Sequence, residues 1–160
     1  ATKDPIAAAE KAKKTEAIKN VLPEFQELKD INMKSAMEDV ELPFHLAYDA
    51  NGNFIGAAVE TFTNKGFSGN ISLMVGILAD GTVNNISVLQ HAETPGLGSK
   101  MSEPSFKDQF NNKHADSFNF NVKKDGGDVD AITAATISSR AFCDAVNRAI
   151  STFENNKGGF

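Results

Sequence analysis

The chain has 160 residues, a formal net charge of −5 and a hydrophobic content of 41%. This length and apolar content suffice for one domain with its own core. The negative charge argues against a nucleic-acid-binding surface. Because Cys143 is the only cysteine, an internal disulfide and a multi-cysteine metal or iron–sulfur centre are excluded. The three histidines are scattered without metal-ligand spacing, so no metal site is predicted.

The N-terminal segment is predicted to be a helix over residues 4–20. Asp4 provides an N-cap, and Pro5 occupies the first helical position. The apolar residues that follow are mostly alanine, so the helix has high propensity but little side-chain surface to bury. It is either a stalk or a surface helix packed back on the domain. The chain is accordingly divided into an N-terminal helix or stalk, residues 1–22, and a domain, residues 23–160.

The middle of the chain alternates between apolar and polar residues, which is typical of β-strands. A short turn is expected near residues 25–28, and residues 29–41 carry no assignable pattern. Because short turns join the strands, an antiparallel meander is expected. The predicted strands are 44–48, 54–62, 71–78 and 83–90, with turns at 49–53 and 79–82 and a glycine-rich loop at 64–70.

The C-terminal third combines short elements with one long helix. Two phenylalanines four residues apart predict a short helix over 104–112. Clean alternation predicts a further strand over 117–122, followed by a turn at 123–128. Apolar residues within 140–150 form one helical stripe, in which Cys143 is interpreted as a buried structural thiol. The predicted fold class is therefore α+β, a twisted antiparallel sheet with helices packed on it.

A stretch of small and hydroxyl-bearing residues, Asp130–Ser139, leads into this last helix. At a helix N-terminus, free backbone N–H groups and the positive end of the helix dipole favour an anion. Aspartate, threonine and serine are also ordinary capping residues. From these features alone, a capped helix and an anion-binding site are both open interpretations.

The segment Asp130-x-x-Thr133-Ala134-Ala135-Thr136 resembles the flavinylation motif Asp-x-x-(Ser/Thr)-Gly-Ala-Thr of the FMN-binding domain family. In that family the final threonine, by position Thr136, carries FMN through a phosphoester bond. A flavin transferase that uses FAD and a divalent metal installs the bond. The chain departs from the motif at Ala134, where glycine is usual. A positive φ would strain alanine there, but we expect Ala134 to lie in the first helical turn, where alanine is harmless.

A second motif, Glu93-Thr94-Pro95-Gly96-Leu97-Gly98, resembles the loop upstream of the threonine motif in the RnfG and NqrC branches of this family. The resemblance covers about residue 42 to the last helix and implies covalent FMN as the cofactor. Leu97 would pack on the isoalloxazine face, and Phe67 is a further candidate for ring contact. The implied cofactor-binding residues are Thr133, Ala135, Thr136, Ser138 and Ser139 of the first motif and Glu93, Thr94, Leu97 and Gly98 of the second, with Asp130 acting in flavinylation.

The resemblance also implies an electron-carrying subunit with no catalytic residues and no metal ligands of its own. The expected assignment is the RnfG subunit of an Rnf-type ion-translocating ferredoxin:NAD oxidoreductase complex, with the other subunits and a flavin transferase as partners and no nucleic acid. Three alternatives are an NqrC-like subunit of the sodium-pumping NADH:quinone reductase, a flavin electron-entry domain of another extracytoplasmic reductase, and a cofactor-free structural or adhesion module.

The expected location follows from the same resemblance. No run of the sequence is long enough for a transmembrane helix, and no signal peptide is recognisable. Members of the family that resemble this chain usually have one N-terminal membrane anchor. We therefore expect a missing N-terminal anchor in the inner membrane, with the soluble domain on the extracytoplasmic, periplasmic side.

Overall fold

The computed structural model describes residues 5–35 and 39–156, with only the backbone of residues 5–11. It begins with helix α1, Pro5–Val21, which confirms the predicted N-terminal helix; the expected cap Asp4 lies outside the described residues. None of the helices in these ranges combines the length and apolar character that a membrane span requires.

Five strands form one antiparallel sheet in the order β1-β2-β3-β4-β5. This order confirms the predicted meander and the α+β class. It follows from the tight turns between strands, for example at Asp49, whose carboxylate accepts hydrogen bonds from the N–H groups of Asn51 and Asn53. The strands are β1 (Glu27–Lys34), β2 (Glu41–Tyr48), β3 (Phe54–Gly66), β4 (Gly69–Leu78) and β5 (Val83–Gln90).

Two α-helices and three 3₁₀ turns follow the sheet in the chain. The short helix predicted over 104–112 is confirmed in part, as helix α2, Pro104–Lys107, continued by a 3₁₀ turn over Asp108–Phe110. The last helix, α3, spans Thr136–Asn155. Further 3₁₀ turns lie at Gly98–Ser102 and Lys123–Asp125.

The two helical layers pack on opposite faces of the sheet. Helix α3 packs on β3 and β4, and its apolar stripe, including Phe142 and Phe153, joins inward residues of β2 to β5 such as Leu73 in one core. The C-terminal part of α1 packs its Ile18 and Val21 with small residues and Met74 of the other face. Alternation of side chains along each strand supplies one face to each helix. The boundary predicted at residue 22 stays a prediction.

The predicted glycine-rich loop at 64–70 is wrong. Strands β3 and β4 run to Gly66 and from Gly69, which pair with each other, so only Phe67 and Ser68 form the turn. Gly69 has φ of 111°, which only glycine adopts readily. The polar residues of this segment are found because the hairpin tip is exposed to solvent, although the strands continue to the turn. This tip projects beyond the sheet and becomes one wall of the site described below.

The predicted strand over 117–122 is also wrong. The N–H groups of Ser117 and Phe118 donate to the carbonyl of His114 in a turn, at 3.0 and 2.9 Å. Of this segment, Val122 alone forms an isolated bridge, with Val129. The alternating pattern arises because Phe120 packs into the core, stacked on Phe110 at 6.1 Å between ring centroids. Burial of aromatic rings from a loop therefore imitates the two-residue period of a strand.

The predicted burial of Cys143 is confirmed. Its side chain lies in the core on α3, and this burial raises the pKa of its thiol to about 12. The thiol therefore stays protonated and unreactive at physiological pH.

Candidate functional site

A cleft of about 420 Å³ opens where three segments meet: the β3–β4 hairpin tip, the loop after β5, and the start of α3. The two sequence motifs, about forty residues apart in the chain, thus line one site. The lining residues are Phe67, Thr94, Leu97, Gly98, Ala134, Ala135, Thr136, Ile137 and Ser138.

The rim of this cleft carries unusually exposed apolar side chains. Phe67 is 68% exposed, Ile137 49% and Leu97 40%. In the described part of the chain, the only other large hydrophobic residue so exposed is Leu28, on the edge strand β1. Clustered apolar side chains that a monomer leaves in water indicate a binding surface. None of the lining residues carries a charge, so the cleft suits a group with uncharged, largely apolar surface.

The start of α3 supplies the polar end of the cleft. Thr136 is the first helical residue, and Ala135 at the N-cap makes no side-chain capping hydrogen bond. The first backbone N–H groups of a helix have no intrahelical acceptor and lie at the positive end of its dipole. An anionic group beside the half-buried Thr136 hydroxyl would therefore be stabilised by the helix itself.

Ala134 contradicts the expectation that it lies in the first helical turn. Its φ is 62°, in the left-handed region, and α3 begins two residues later. The cause is a tight turn in which the Ala135 N–H donates to the Ile132 carbonyl at 3.0 Å, which places Ala134 at the turn position that favours glycine. An L-residue with a side chain costs roughly 1–2 kcal/mol in this conformation. The expectation failed because the helix start was placed too early.

Ser139 stabilises this turn from inside. Its buried hydroxyl donates to the Ala135 carbonyl and accepts from the Ile132 N–H, both at 2.9 Å. The hydroxyl therefore fixes the turn that presents Thr136 and does not line the cleft.

Glu93 is buried behind the cleft, with 4% of its surface exposed. Its carboxylate accepts hydrogen bonds from the N–H groups of Phe67 and Ser68, at 2.7 and 2.8 Å, and from the Ser138 hydroxyl at 2.7 Å. Burial alone raises the pKa of Glu93, but these bonds and the nearby His91 outweigh it and hold the pKa below 4.5. Glu93 is therefore ionised at neutral pH, and protein groups occupy both of its oxygens.

The remaining sequence-predicted residues divide into two groups. Thr94, Leu97, Gly98 and Ala135 line the cleft together with Thr136. Thr133 and Asp130 are exposed and lie outside the lining. The Asp130 carboxylate forms an ion pair with Lys123 at 2.7 Å, which raises the pKa of that lysine.

Sequence reasoning missed Ile137 as a rim residue. The signal was present, because Ile137 is an apolar residue that precedes the buried apolar stripe of α3, which begins at Ala141. Such a residue at the exposed start of an amphipathic helix indicates a contact outside the core.

A second cleft of about 420 Å³ lies on the other side of Ile137 and has charged and amide side chains among its lining residues. Its cations are already engaged: Lys65 faces Asp144 at 3.4 Å, and Arg140 forms a paired contact with Asp125 at 2.8 and 2.9 Å. Within the described residues, no group of three or more His, Cys, Asp or Glu side chains could hold a metal ion. The apolar cleft at Thr136 is therefore the better candidate for a cofactor.

Comparison with known proteins also indicates that this region binds a cofactor. A family profile described as "FMN-binding domain" matches residues 66–151, which include all three walls of the cleft. The G subunit of the ion-translocating oxidoreductase complex of Aliivibrio fischeri (strain ATCC 700601 / ES114) is 36% identical over 93% of this chain and 77% of its own length. The protein of the same name from Methanosarcina acetivorans is 37% identical, over 89% and 76% respectively.

Two solved structures share the fold. The C subunit of the Na(+)-translocating NADH-quinone reductase from Parabacteroides distasonis superposes with a TM-score of 0.63, covering 94% of this chain and 83% of that one. NqrC from Shewanella oneidensis gives a TM-score of 0.56, with 91% and 73% covered. Both are 19% identical to this chain, so the likeness concerns the fold alone.

Proposed function

The chain belongs to the FMN-binding domain family, and from this premise we propose that it carries FMN covalently on Thr136 for electron transfer. The observation that supports this most strongly is the convergence of both motifs on one uncharged cleft that ends at the Thr136 hydroxyl. A flat apolar ring with a phosphate tail matches the two ends of that cleft. Bound FMN supplies one-electron or two-electron chemistry at its isoalloxazine ring.

The residues of the chain divide the work of holding such a group. The side chains of Phe67, Leu97 and Ile137 would shield the ring from water, which accounts for their exposure in the protein alone. The N-terminal N–H groups of α3 would stabilise the phosphate charge without a lysine or arginine. Ser138 and Ser139, whose hydroxyls are directed to Glu93 and to the 132–135 turn, would act through the framework and not on the phosphate.

Attachment requires one covalent step at Thr136. Its hydroxyl oxygen would form a bond to the FMN phosphorus of FAD while the bond between the two phosphates breaks, AMP leaves, and the hydroxyl proton is released. A separate flavin transferase with a divalent metal would carry out this step. The exposed Asp130, six residues before Thr136, is proposed to help orient the transferase, since its carboxylate lies outside the cleft.

We further propose that the chain acts as the RnfG subunit of an Rnf-type ion-translocating oxidoreductase complex. Relatives named as the G subunit of such a complex match about nine tenths of this chain at 36–37% identity, whereas the NqrC structures match at 19%. This difference favours the Rnf type over an NqrC-like subunit. The other subunits would then be its partners, and an N-terminal anchor would hold the domain on the periplasmic side of the inner membrane.

The test compares protein produced with and without a flavin transferase. With the transferase, we expect a flavin absorption band that survives denaturation and an intact-mass increase of one FMN less one water. Protein from cells without the transferase should show neither. A parent protein that gains no mass in the presence of an active transferase would contradict the covalent proposal.

A further inference from the structure

We propose that Glu93 is a positioning residue that fixes the three walls of the flavin cleft relative to one another; the proposal rests on the function proposed above. The resemblance to known motifs placed Glu93 among the cofactor contacts. Its geometry assigns it another task, because it does not line the cleft and its carboxylate is fully engaged by the protein.

The three partners of the Glu93 carboxylate come from two other walls. One oxygen accepts from the Phe67 N–H and the Ser138 hydroxyl, and the other oxygen accepts from the Ser68 N–H. These partners lie 25, 26 and 45 residues away in sequence. One ionised side chain thus connects the β3–β4 hairpin tip, the loop after β5 and the first turn of α3.

Each of these connections fixes a residue of the apolar rim. The bond from the Phe67 N–H holds the backbone that carries the most exposed ring of the cleft. Ser138 directly follows Ile137 and lies two residues after Thr136. Leu97 is four residues beyond Glu93 in the same loop. Hydrogen bonds to charged groups are worth more than neutral ones, so this arrangement orders rim side chains that have little packing of their own.

The neighbouring glycine shows how closely these walls approach. A Cβ on Gly98 would lie 2.4 Å from the Ser138 hydroxyl oxygen and 2.7 Å from the Glu93 Cβ. Such distances are shorter than any real contact, so only glycine lets the loop cross over the contact between Glu93 and Ser138. The second motif therefore contains both the connecting carboxylate and the space that it requires.

Substitution Glu93→Gln tests the proposal with nearly unchanged shape. All three partners of the carboxylate donate, and a glutamine side chain offers only one acceptor oxygen. At least one of the Phe67 and Ser68 N–H groups therefore loses its acceptor. In apo protein we expect exchange of that amide hydrogen to become at least about tenfold faster. In transferase-treated protein we expect less labelling of Thr136 and a shifted flavin absorption band.

Thr61→Val is the matched control. The buried Thr61 hydroxyl donates to the Ala145 carbonyl at 2.8 Å, so this change removes a bond between the sheet and α3 away from the cleft. Thr61→Val should leave the exchange rates of the Phe67 and Ser68 amide hydrogens and the flavin absorption band at parent values. If Glu93→Gln does not fold, Ser138→Ala takes its place, and we expect a shifted flavin band with both amides still protected.

Parent-like amide exchange together with a parent-like flavin band in Glu93→Gln would overturn the proposal. If Ser138→Ala is used in place of Glu93→Gln, a parent-like flavin band in Ser138→Ala would overturn the proposal. Failure of the proposed function gives a different result: the parent itself takes up no flavin, while amide exchange in apo protein still decides the role of Glu93.

Discussion

Ala134 has an unfavourable backbone conformation and Leu97 has an exposed apolar side chain, and neither feature stabilises the protein alone. Ala134 has φ of 62° in the turn before α3, and Leu97 leaves two fifths of its surface in water. Strained or exposed residues that cluster at one cleft indicate a site whose geometry is kept for a ligand. Both residues therefore permit tests of the site by stability alone.

Ala134→Gly should stabilise the apo protein by about 1 kcal/mol. Relief of roughly 1–2 kcal/mol of left-handed strain exceeds the roughly 0.4–1 kcal/mol lost through the greater freedom of glycine in the unfolded chain. Urea denaturation measures the difference. Ala131→Gly, at an exposed position without positive φ, is the control and should be destabilised by that entropic cost. Equal destabilisation of both variants would contradict the left-handed assignment.

Leu97→Ala should affect the holo protein more clearly than the apo protein. In apo protein the partly exposed side chain should cost about 1 kcal/mol, whereas Leu73→Ala in the core should cost about 2–5 kcal/mol. In flavin-loaded protein, Leu97→Ala should expose the ring to water and shift its absorption band. Denaturation curves and spectra of both variants check this. A core-like loss in both forms with an unchanged band would remove Leu97 from the site.

Among the elements, the sequence predicts strands and helices best where one face is buried. Strands β4 and β5 were predicted nearly in full, whereas β2, β3 and helix α3 were located correctly but extend beyond the predicted bounds. Edge strand β1 was missed because its first four residues are exposed, so no alternation marks it. In the site, the motifs indicated Thr136 and the loop after β5. The inward direction of the Ser138 and Ser139 hydroxyls depends on contacts with Glu93 and the 132–135 turn, which sequence spacing does not encode.

Three strands and α1 meet in a charged cluster on the sheet face that carries α1. The His45 ring nitrogens contact Asp30 at 2.7 Å and Glu60 at 2.8 Å, and Glu60 also pairs with Lys14 at 3.1 Å. Burial alone lowers the pKa of His45, but its bonds to Glu60 and Asp30 outweigh burial and raise the pKa above 6.5. The protonated ring therefore connects β1, β2 and β3.

This cluster predicts a pH-dependent loss of stability. The folded-state pKa of His45 lies above its unfolded value. The charged ring therefore contributes fully to the free energy of unfolding below pH 6.5, and this contribution is lost as pH rises through the folded pKa. The free energy of unfolding of His45→Gln should therefore differ more from the parent at pH 6 than at pH 8. Chemical denaturation at both pH values measures this. A difference that grows with pH would contradict the charged-ring assignment.

At the scale of the whole molecule, the two faces of the sheet carry different parts of the structure. The α3 face and the hairpin tip build the cleft, while α1 packs on the opposite face. A chain anchored through its N-terminus would thus be held from one layer and carry its flavin on the other. Retention of the flavin would depend on one covalent bond, since the cleft offers no charged side chain to hold the phosphate.

The most direct test is covalent labelling of Thr136 variants produced with a flavin transferase. Denaturing-gel fluorescence and intact mass should show flavin on the parent, none on Thr136→Ala, and residual labelling on Thr136→Ser, which keeps a hydroxyl. Thr133→Ala, which changes the other threonine of the motif, should remain labelled and serves as the control. Covalent flavin that persists on Thr136→Ala would contradict the central claim.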